Sequence, residues 1–346
     1  MADTPLQTDC THMRREIEEI PSAVRRVLSG AHPGAREIAE RAGAPVFLAS
    51  VARGSSDHAA MFLKYASEIY LGLAMASLGP SVSSVYKSKI QLEKALVIAI
   101  SQSGASPDIL SVVESAKEQG AVTVGLTNTA DSPLARLSAS TLDICAGPEK
   151  SVAATKTYVN SVVAGLLLMA EIGGDAALLN ALAKLPGEME SAIATDWSAL
   201  AEPIERRGSL YVVGRGPGLA IANEAALKFK ETCQIHAEAY SSAEVMHGPV
   251  SIVEDGYPVL VLGVRDAAQD GLALTADKMA DQGGVVFATT DKVERAHRLD
   301  YQSASHPLTD ALTQIVSFYS FIEWFARHRG FNPDVPRHLK KVTQTV

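Results

Sequence analysis

The segment Ser101-Gln102-Ser103-Gly104-Ala105-Ser106 packs three hydroxyls and a side-chain amide into one short stretch. It follows the apolar run 95–100 and precedes Pro107, a residue suited to the first position of a helix. A loop so placed lies at the carboxyl end of a strand, where open sheets put their ligands. Backbone N–H groups and the positive end of a helix dipole favour an anion there. A phosphate could be held by hydroxyls and amides with no Lys or Arg, and Gly104 would let the backbone approach an oxygen closely. The competing reading is a serine-rich turn with Ser106 as a helix cap; the position after a buried strand favours the phosphate. Ser56, in Gly54-Ser55-Ser56-Asp57, also follows a strand-like run and would reach the same ligand if the two strands are neighbours. Gly263-Val264-Arg265-Asp266, the corresponding stretch of the second half, has no hydroxyl cluster, so one phosphate site per chain is expected.

A second group of residues suits proton transfer. Over 217–233, Ile221, Ala225 and Phe229 form an apolar stripe, with Lys228 beside it and Glu224 and Glu231 about one turn to either side. This is either a solvated ladder of charges, or a carboxylate base, Glu231, with Lys228 orienting substrate or tuning its proton affinity. Further on come His236-Ala237-Glu238-Ala239-Tyr240 and Glu244-Val245-Met246-His247-Gly248-Pro249. Glu244 and His247 have the i, i+3 spacing of some metal ligands, but a single such pair without further His or Asp predicts no metal. Gly248-Pro249 ends the helical turn after His247, leaving an exposed imidazole that, when neutral, could open a sugar ring.

The elements that must position these groups repeat. Runs at 45–51, 95–101 and 121–127 are short and rich in Val, Ile, Leu and Ala, as expected of parallel strands covered on both faces. Helical patterns at 57–71 and 107–119 lie between them, giving strand-helix-strand units and a doubly wound α/β sheet. The second half repeats the plan with runs at 209–214, 257–264 and 284–289 and helical segments at 217–233 and 271–282. The offset of about 160 residues suits a duplicated domain rather than a solenoid. Helices at 155–171 and 176–200, broken at Gly173-Gly174, connect the halves, and 13–28 has the spacing of one amphipathic helix after a polar, loose 1–11.

Composition narrows the class. The 346 residues are 47% hydrophobic and 20% charged, enough for a large core and two domains. A net charge of −8 argues against a nucleic-acid partner, whose phosphates need clustered Lys and Arg. Cys10, Cys145 and Cys233 are odd in number and lack metal-type spacing, so inert thiols in a reducing compartment are expected. No secretory leader is visible, and the longest apolar run, 161–172, is too short to span a bilayer. A soluble cytoplasmic protein is expected, with no membrane partner.

Together, Ser101-Gln102-Ser103-Gly104, Ala226-Leu227-Lys228-Phe229-Lys230-Glu231, Ile235-His236-Ala237-Glu238-Ala239-Tyr240 and His247-Gly248-Pro249 resemble the sugar isomerase (SIS) superfamily. Within it, the chain is most similar to the isomerase half of the glucosamine-6-phosphate synthases. The similarity runs from His12-Met13-Arg14-Arg15-Glu16-Ile17 to Pro336-Arg337-His338-Leu339-Lys340-Lys341-Val342. The resemblance implies two flavodoxin-like SIS domains, three-layer sandwiches at 31–180 and 181–330, after an N-terminal arm and helix over 1–30 and before a tail over 331–346. It implies a homodimer with shared active sites, a phosphorylated sugar as substrate, and no cofactor. It further implies that Ser101, Gln102, Ser103 and Ser106, around Gly104, bind the phosphate, Ser106 standing where the synthases carry Thr. Ser56 and the backbone of Val152 would line the sugar. Glu231 would shuttle the proton between C1 and C2, with Lys228 contacting the sugar and assisting, while His247 opens the ring and Lys341 reaches the carbonyl. Two departures shape the expected activity: Ala154 replaces a serine that contacts the sugar, and no glutaminase with its N-terminal catalytic Cys is matched. The resemblance therefore implies an aldose-ketose isomerase acting as an amino-sugar-phosphate deaminase, taking glucosamine 6-phosphate to fructose 6-phosphate and ammonia through an enolamine. A plain phosphosugar isomerase or a fructosamine-phosphate deglycase is the alternative within enzymes. A non-catalytic sugar-phosphate sensor would carry a basic DNA-binding appendage, which the short, acidic N-terminal segment does not supply.

Overall fold

A computed structural model of the chain describes residues 10–341. The expected loose start falls mainly on 1–9, and the end of the expected tail on 342–346; both lie outside the described residues. The elements run α1 (His12–Glu18), α2 (Ile20–Ala42), β1 (Phe47–Val51), α3 (Ser55–Ala66), β2 (Met75–Ser77), α4 (Pro80–Ser84), β3 (Ala95–Ile100), α5 (Pro107–Glu118), β4 (Val122–Thr127), α6 (Pro133–Leu137), β5 (Ser140–Asp143), α7 (Lys156–Gly173) and α8 (Ala176–Ile193). They continue with α9 (Ala201–Arg207), β6 (Ser209–Gly214), α10 (Pro217–Cys233), β7 (His236–Ser241), β8 (Pro258–Val261), α11 (Gln269–Asp281), β9 (Val285–Ala288), β10 (His297–Arg298) and α12 (Pro307–His328).

All pairings are parallel, in two five-stranded sheets ordered β2-β1-β3-β4-β5 and β10-β9-β8-β6-β7. Numbered from the start of each half, both orders are 2-1-3-4-5, so the repeat expected from the strand spacing extends to the topology. In such a sheet the order reverses between the first and third strands, and the crevice beyond their carboxyl ends is the place for a ligand. The backbone repeats as well: α3 and α10 are each entered through a glycine of nearly one conformation, Gly54 (φ 55, ψ −132) and Gly216 (φ 53, ψ −129).

The chain folds into two compact units. One comprises Ile20–Glu149 and Lys156–Pro186 and holds the first sheet; the other comprises 10–19, Lys150–Thr155 and Gly187–Lys341 and holds the second. In the first, β3 is buried at every residue, as the uninterrupted Ala-Leu-Val-Ile-Ala-Ile run requires of a strand covered on both faces. Its core gathers Ala49, Val97, Ile109, Val113 and Leu134. In the second, Val213, Val259, Val261 and Val286 pack with Leu272 and Met279.

Some boundaries differ from the sequence reading. The single helix expected over 13–28 is two, divided at Glu19, and the second runs on to Ala42. Pro21 has no N–H with which to continue the bonding of α1. The pattern expected over 57–71 begins at Ser55 and closes in a π turn, Ser67–Leu71, before Gly72. The helix expected over 176–200 ends at Ile193, followed by a short 3-10 turn, Ser198–Leu200.

Candidate active site

Two groups of expected site residues take shape, one in each unit. In the first, the Ser101–Ser106 loop leaves the end of β3 and opens α5, while the Ser56 segment leaves the adjacent β1 and opens α3. The two loops therefore occupy the strand-order reversal. Ser101 Oγ accepts the Gly104 N–H at 3.2 Å and Ser103 Oγ accepts that of Ala105 at 3.4 Å, so each hydroxyl keeps its own proton to donate. Ser106 is the N-cap of α5 but its side chain makes no capping bond, which favours the ligand role over the cap. Among the described residues the backbone N–H groups of Gln102, Ser103 and Ser106 have no hydrogen-bond partner, the donor set of an anion nest.

The loop's shape is imposed from beneath. The carbonyl of Gln102 accepts from Thr127 Oγ1 and from the Asn128 N–H, and the carbonyl of Gly104 accepts from the Leu134 N–H. The side-chain amide of Gln102 reaches the carboxylate of Glu149 at 3.5 Å, which also accepts the N–H and hydroxyl of Thr157 in the first turn of α7. Gly104 has φ +60, and a Cβ there would overlap Ser132 Oγ. The sequence suggested Gly104 for close approach of a ligand; its tight packing on Ser132 adds a second requirement. Gly104→Ala should therefore cost about 1–2 kcal/mol from the backbone alone, with the overlap added. A lower urea midpoint together with lost phosphate binding is the expected pair of measurements.

In the second unit, α10 carries the charges. Lys228 Nζ lies 3.1 Å from Glu224 Oε1 and 2.7 Å from Glu231 Oε2. The side chains of Lys228 and Glu224 are fully buried, and that of Glu231 is 20% exposed. This is not the solvated ladder that equal spacing allows. Phe229 of α10 packs against Phe318, Phe321 and Phe325 of α12, and Tyr319 of α12 donates its hydroxyl to Glu224. Burial alone would lower the proton affinity of Lys228; Glu224 and Glu231 more than offset it, and the ammonium is held above the ordinary lysine value. Both its ion pairs point to carboxylates, so its geometry suits holding Glu231 better than touching a sugar.

His247 ends a 3-10 turn, Glu244–His247, and is exposed, as the Gly248-Pro249 stop suggested. Its imidazole makes no hydrogen bond to the described residues. His236 and Glu238 lie on β7, and among the described residues no group of three or more His, Cys, Asp and Glu is arranged to hold a metal. Lys341 and Val152 are brought together in this unit. Lys341 Nζ donates to the carbonyl of Ser151 at 2.7 Å, and the Val152 N–H donates to that of Asp334. Asp334's carboxylate caps α1 through the N–H groups of His12 and Met13, while Glu16 of α1 accepts from Lys150 and Ser151. At the end of β8, where the second half lacks hydroxyls, Arg265 forks onto Asp310 with Nε at 3.1 Å and Nη2 at 2.9 Å. The Arg265 and Ala304 N–H groups complete the shell of that buried carboxylate.

Two residues were missed in the sequence. Glu149 carries no local signal, because its partners Gln102 and Thr157 lie in other segments. Arg53, beside Gly54, donates to Asp108 from Nε and Nη2. The cysteines are free thiols, and burial pushes Cys233 up to about 12. Among the described residues, no helix is long and apolar enough to cross a membrane.

A duplicated, doubly wound α/β chain with a loop of hydroxyls and free backbone N–H groups at one strand-order reversal is the class that fold and site define. The chain belongs to the SIS domain family, whose model matches residues 48–170 and 204–320, once on each sheet. The glutamine--fructose-6-phosphate aminotransferase [isomerizing] of Thermococcus kodakarensis is 32% identical over 349 residues, covering 95% of this chain and 57% of that protein. The chain thus spans little more than half the length of this curated relative. A candidate phosphosugar isomerase of known structure from Silicibacter pomeroyi DSS-3 is 54% identical, with a TM-score of 0.91 over 94% of this chain and 100% of that one. The C-terminal domain of glucosamine-fructose-6-phosphate aminotransferase from Francisella tularensis shares the fold, with a TM-score of 0.81 at 24% identity over 95% and 99% of the two chains. The resemblance read from the motifs is borne out.

Proposed function

We propose that this chain is a phosphosugar aldose-ketose isomerase that works as an amino-sugar-phosphate deaminase. The observation that carries the reading is Glu231, a carboxylate partly open to solvent and held by a buried ammonium, in a chain that also has a loop of hydroxyl and free backbone N–H groups at the end of β3. The names of two aligned relatives, a glutamine--fructose-6-phosphate aminotransferase [isomerizing] and a phosphosugar isomerase, support a sugar phosphate as the substrate class.

In the proposed path the Ser101–Ser106 loop takes the phosphate. His247 relays the proton that opens the pyranose, and Glu231 removes the C2 proton of open-chain glucosamine 6-phosphate and returns it to C1. The enolamine becomes a C2 imine, and water adds to it to release ammonia and leave fructose 6-phosphate. The substrate's own carbonyl and imine stabilise the carbanion. Lys228 positions Glu231, and Lys341 with the Val152 carbonyl faces the sugar. A homodimer and a cytoplasmic location belong to the same reading, the latter in keeping with three free thiols.

Incubation of the purified protein with glucosamine 6-phosphate should yield ammonia and fructose 6-phosphate in equal amounts. Ketose from aldose phosphates without ammonia from the amino sugar would make it a plain isomerase. Absence of turnover across a phosphosugar panel, with binding retained, would make it a sensor.

A further inference from the structure

The residues of the Ser101–Ser106 loop are uncharged, yet a guanidinium stands beside them. Arg53 follows β1, and its Nε (2.8 Å) and Nη2 (2.6 Å) both donate to Oδ2 of Asp108, the second residue of α5. Asp108 is fully buried, while the Arg53 side chain is 48% exposed. Since β1 and β3 are adjacent, this fork crosses the strand-order reversal, from the segment that starts α3 to the helix that the phosphate loop opens. Nη1 of Arg53, which carries two N–H groups, has no partner among the described residues.

The surrounding charges show why a cation matters here. Two carboxylates border the loop, Asp108 in the first turn of the helix it opens and Glu149 on the Gln102 amide, and a third, Asp57, lies in the first turn of α3. A phosphate brought among them meets repulsion that neutral hydroxyls do not cancel. Burial raises the proton affinity of Asp57, and His58 and Arg53 oppose that rise, so the guanidinium is felt in this region.

We propose that Arg53 is a substrate-binding residue: fixed by Asp108, it turns its Nη1 edge to the phosphate of the bound sugar and supplies the positive charge that the loop lacks. This rests on the phosphate reading of the Ser101–Ser106 loop. Asp108 is then a positioning residue, which fixes the guanidinium without touching the ligand. Selectivity for phosphorylated over neutral sugars follows from the charge, and orientation from the fork.

Glucitol 6-phosphate, which has no carbonyl and cannot be isomerised, separates binding from chemistry. Calorimetric titration would compare the wild type with Arg53→Gln, which can still hydrogen-bond Asp108 but is neutral, and Arg53→Lys, which keeps the charge without the fork. Arg53→Gln should bind about 10- to 100-fold more weakly, the range for a charged hydrogen bond, while its melting temperature falls because the buried Asp108 loses its ionic partner. Arg53→Lys should recover part of the loss. In turnover, KM for the sugar phosphate should rise by a similar factor with kcat nearly constant. Equal binding by wild type and Arg53→Gln overturns the proposal, as does equal weakening in both variants, which would make Arg53 a structural tie. Failure of the wild type to bind glucitol 6-phosphate would remove the phosphate reading itself, and this inference with it.

Discussion

Glu231→Gln should lower turnover about 10²- to 10⁴-fold, the usual contribution of a positioned acid-base group, while substrate binding changes only a few-fold. The amide keeps the length and planarity of the carboxylate, and its oxygen can still accept from Lys228, now 2.7 Å from Glu231 Oε2. It cannot take up a proton from carbon. Solvent deuterium incorporation at C1 and C2 should fall in step with kcat. A variant that keeps its turnover, or still exchanges deuterium at the wild-type rate, would take the proton shuttle away from Glu231.

Lys228→Met should be the most damaging single change to stability, by about 3–5 kcal/mol, because it leaves Glu224 buried opposite a methyl group. A urea midpoint that falls with an unchanged m value is the expected observation. Adding Glu224→Gln should restore much of the loss, since the buried charge then disappears along with its partner, but not the activity, because Glu231 would still lack its support. If Lys228→Met alone melts like the wild type, the ion triad has no structural weight. The pH dependence has a definite sign. The lysine's folded proton affinity is raised, so its contribution is complete below its ordinary value of 10.5 and is lost only as pH climbs through the higher folded value. Mild acid leaves this lysine's contribution intact.

The parts of the fold that the sequence made legible are the central ones. β3, β4, β6 and β8 are short apolar runs because both their faces are covered, and that leaves a compositional mark. The edge strands leave none: β2 and β10 have three and two residues, and β5 is only partly buried. β7 was read as a string of functional residues because His236 and Glu238 face outward along an edge strand. The place of the Ser101–Ser106 loop at the strand-order reversal was legible because hydroxyl density and chain position coincide in six residues. Arg53 was not, since Asp108 lies 55 residues away and neither residue marks the other. The spacing of Glu224, Lys228 and Glu231 fits a surface ladder and a buried triad equally well; α12 decides between them, and nothing local to α10 announces it.

The fork of Arg265 on Asp310 has a consequence for the duplication itself. At the end of β8, a guanidinium and two backbone amides converge on an oxyanion, as donors converge at the end of β3, but the oxyanion is a side chain of the same polypeptide. The second half thus fills that position with a carboxylate of its own chain, and the pair ties the loop after β8 to the first turn of α12.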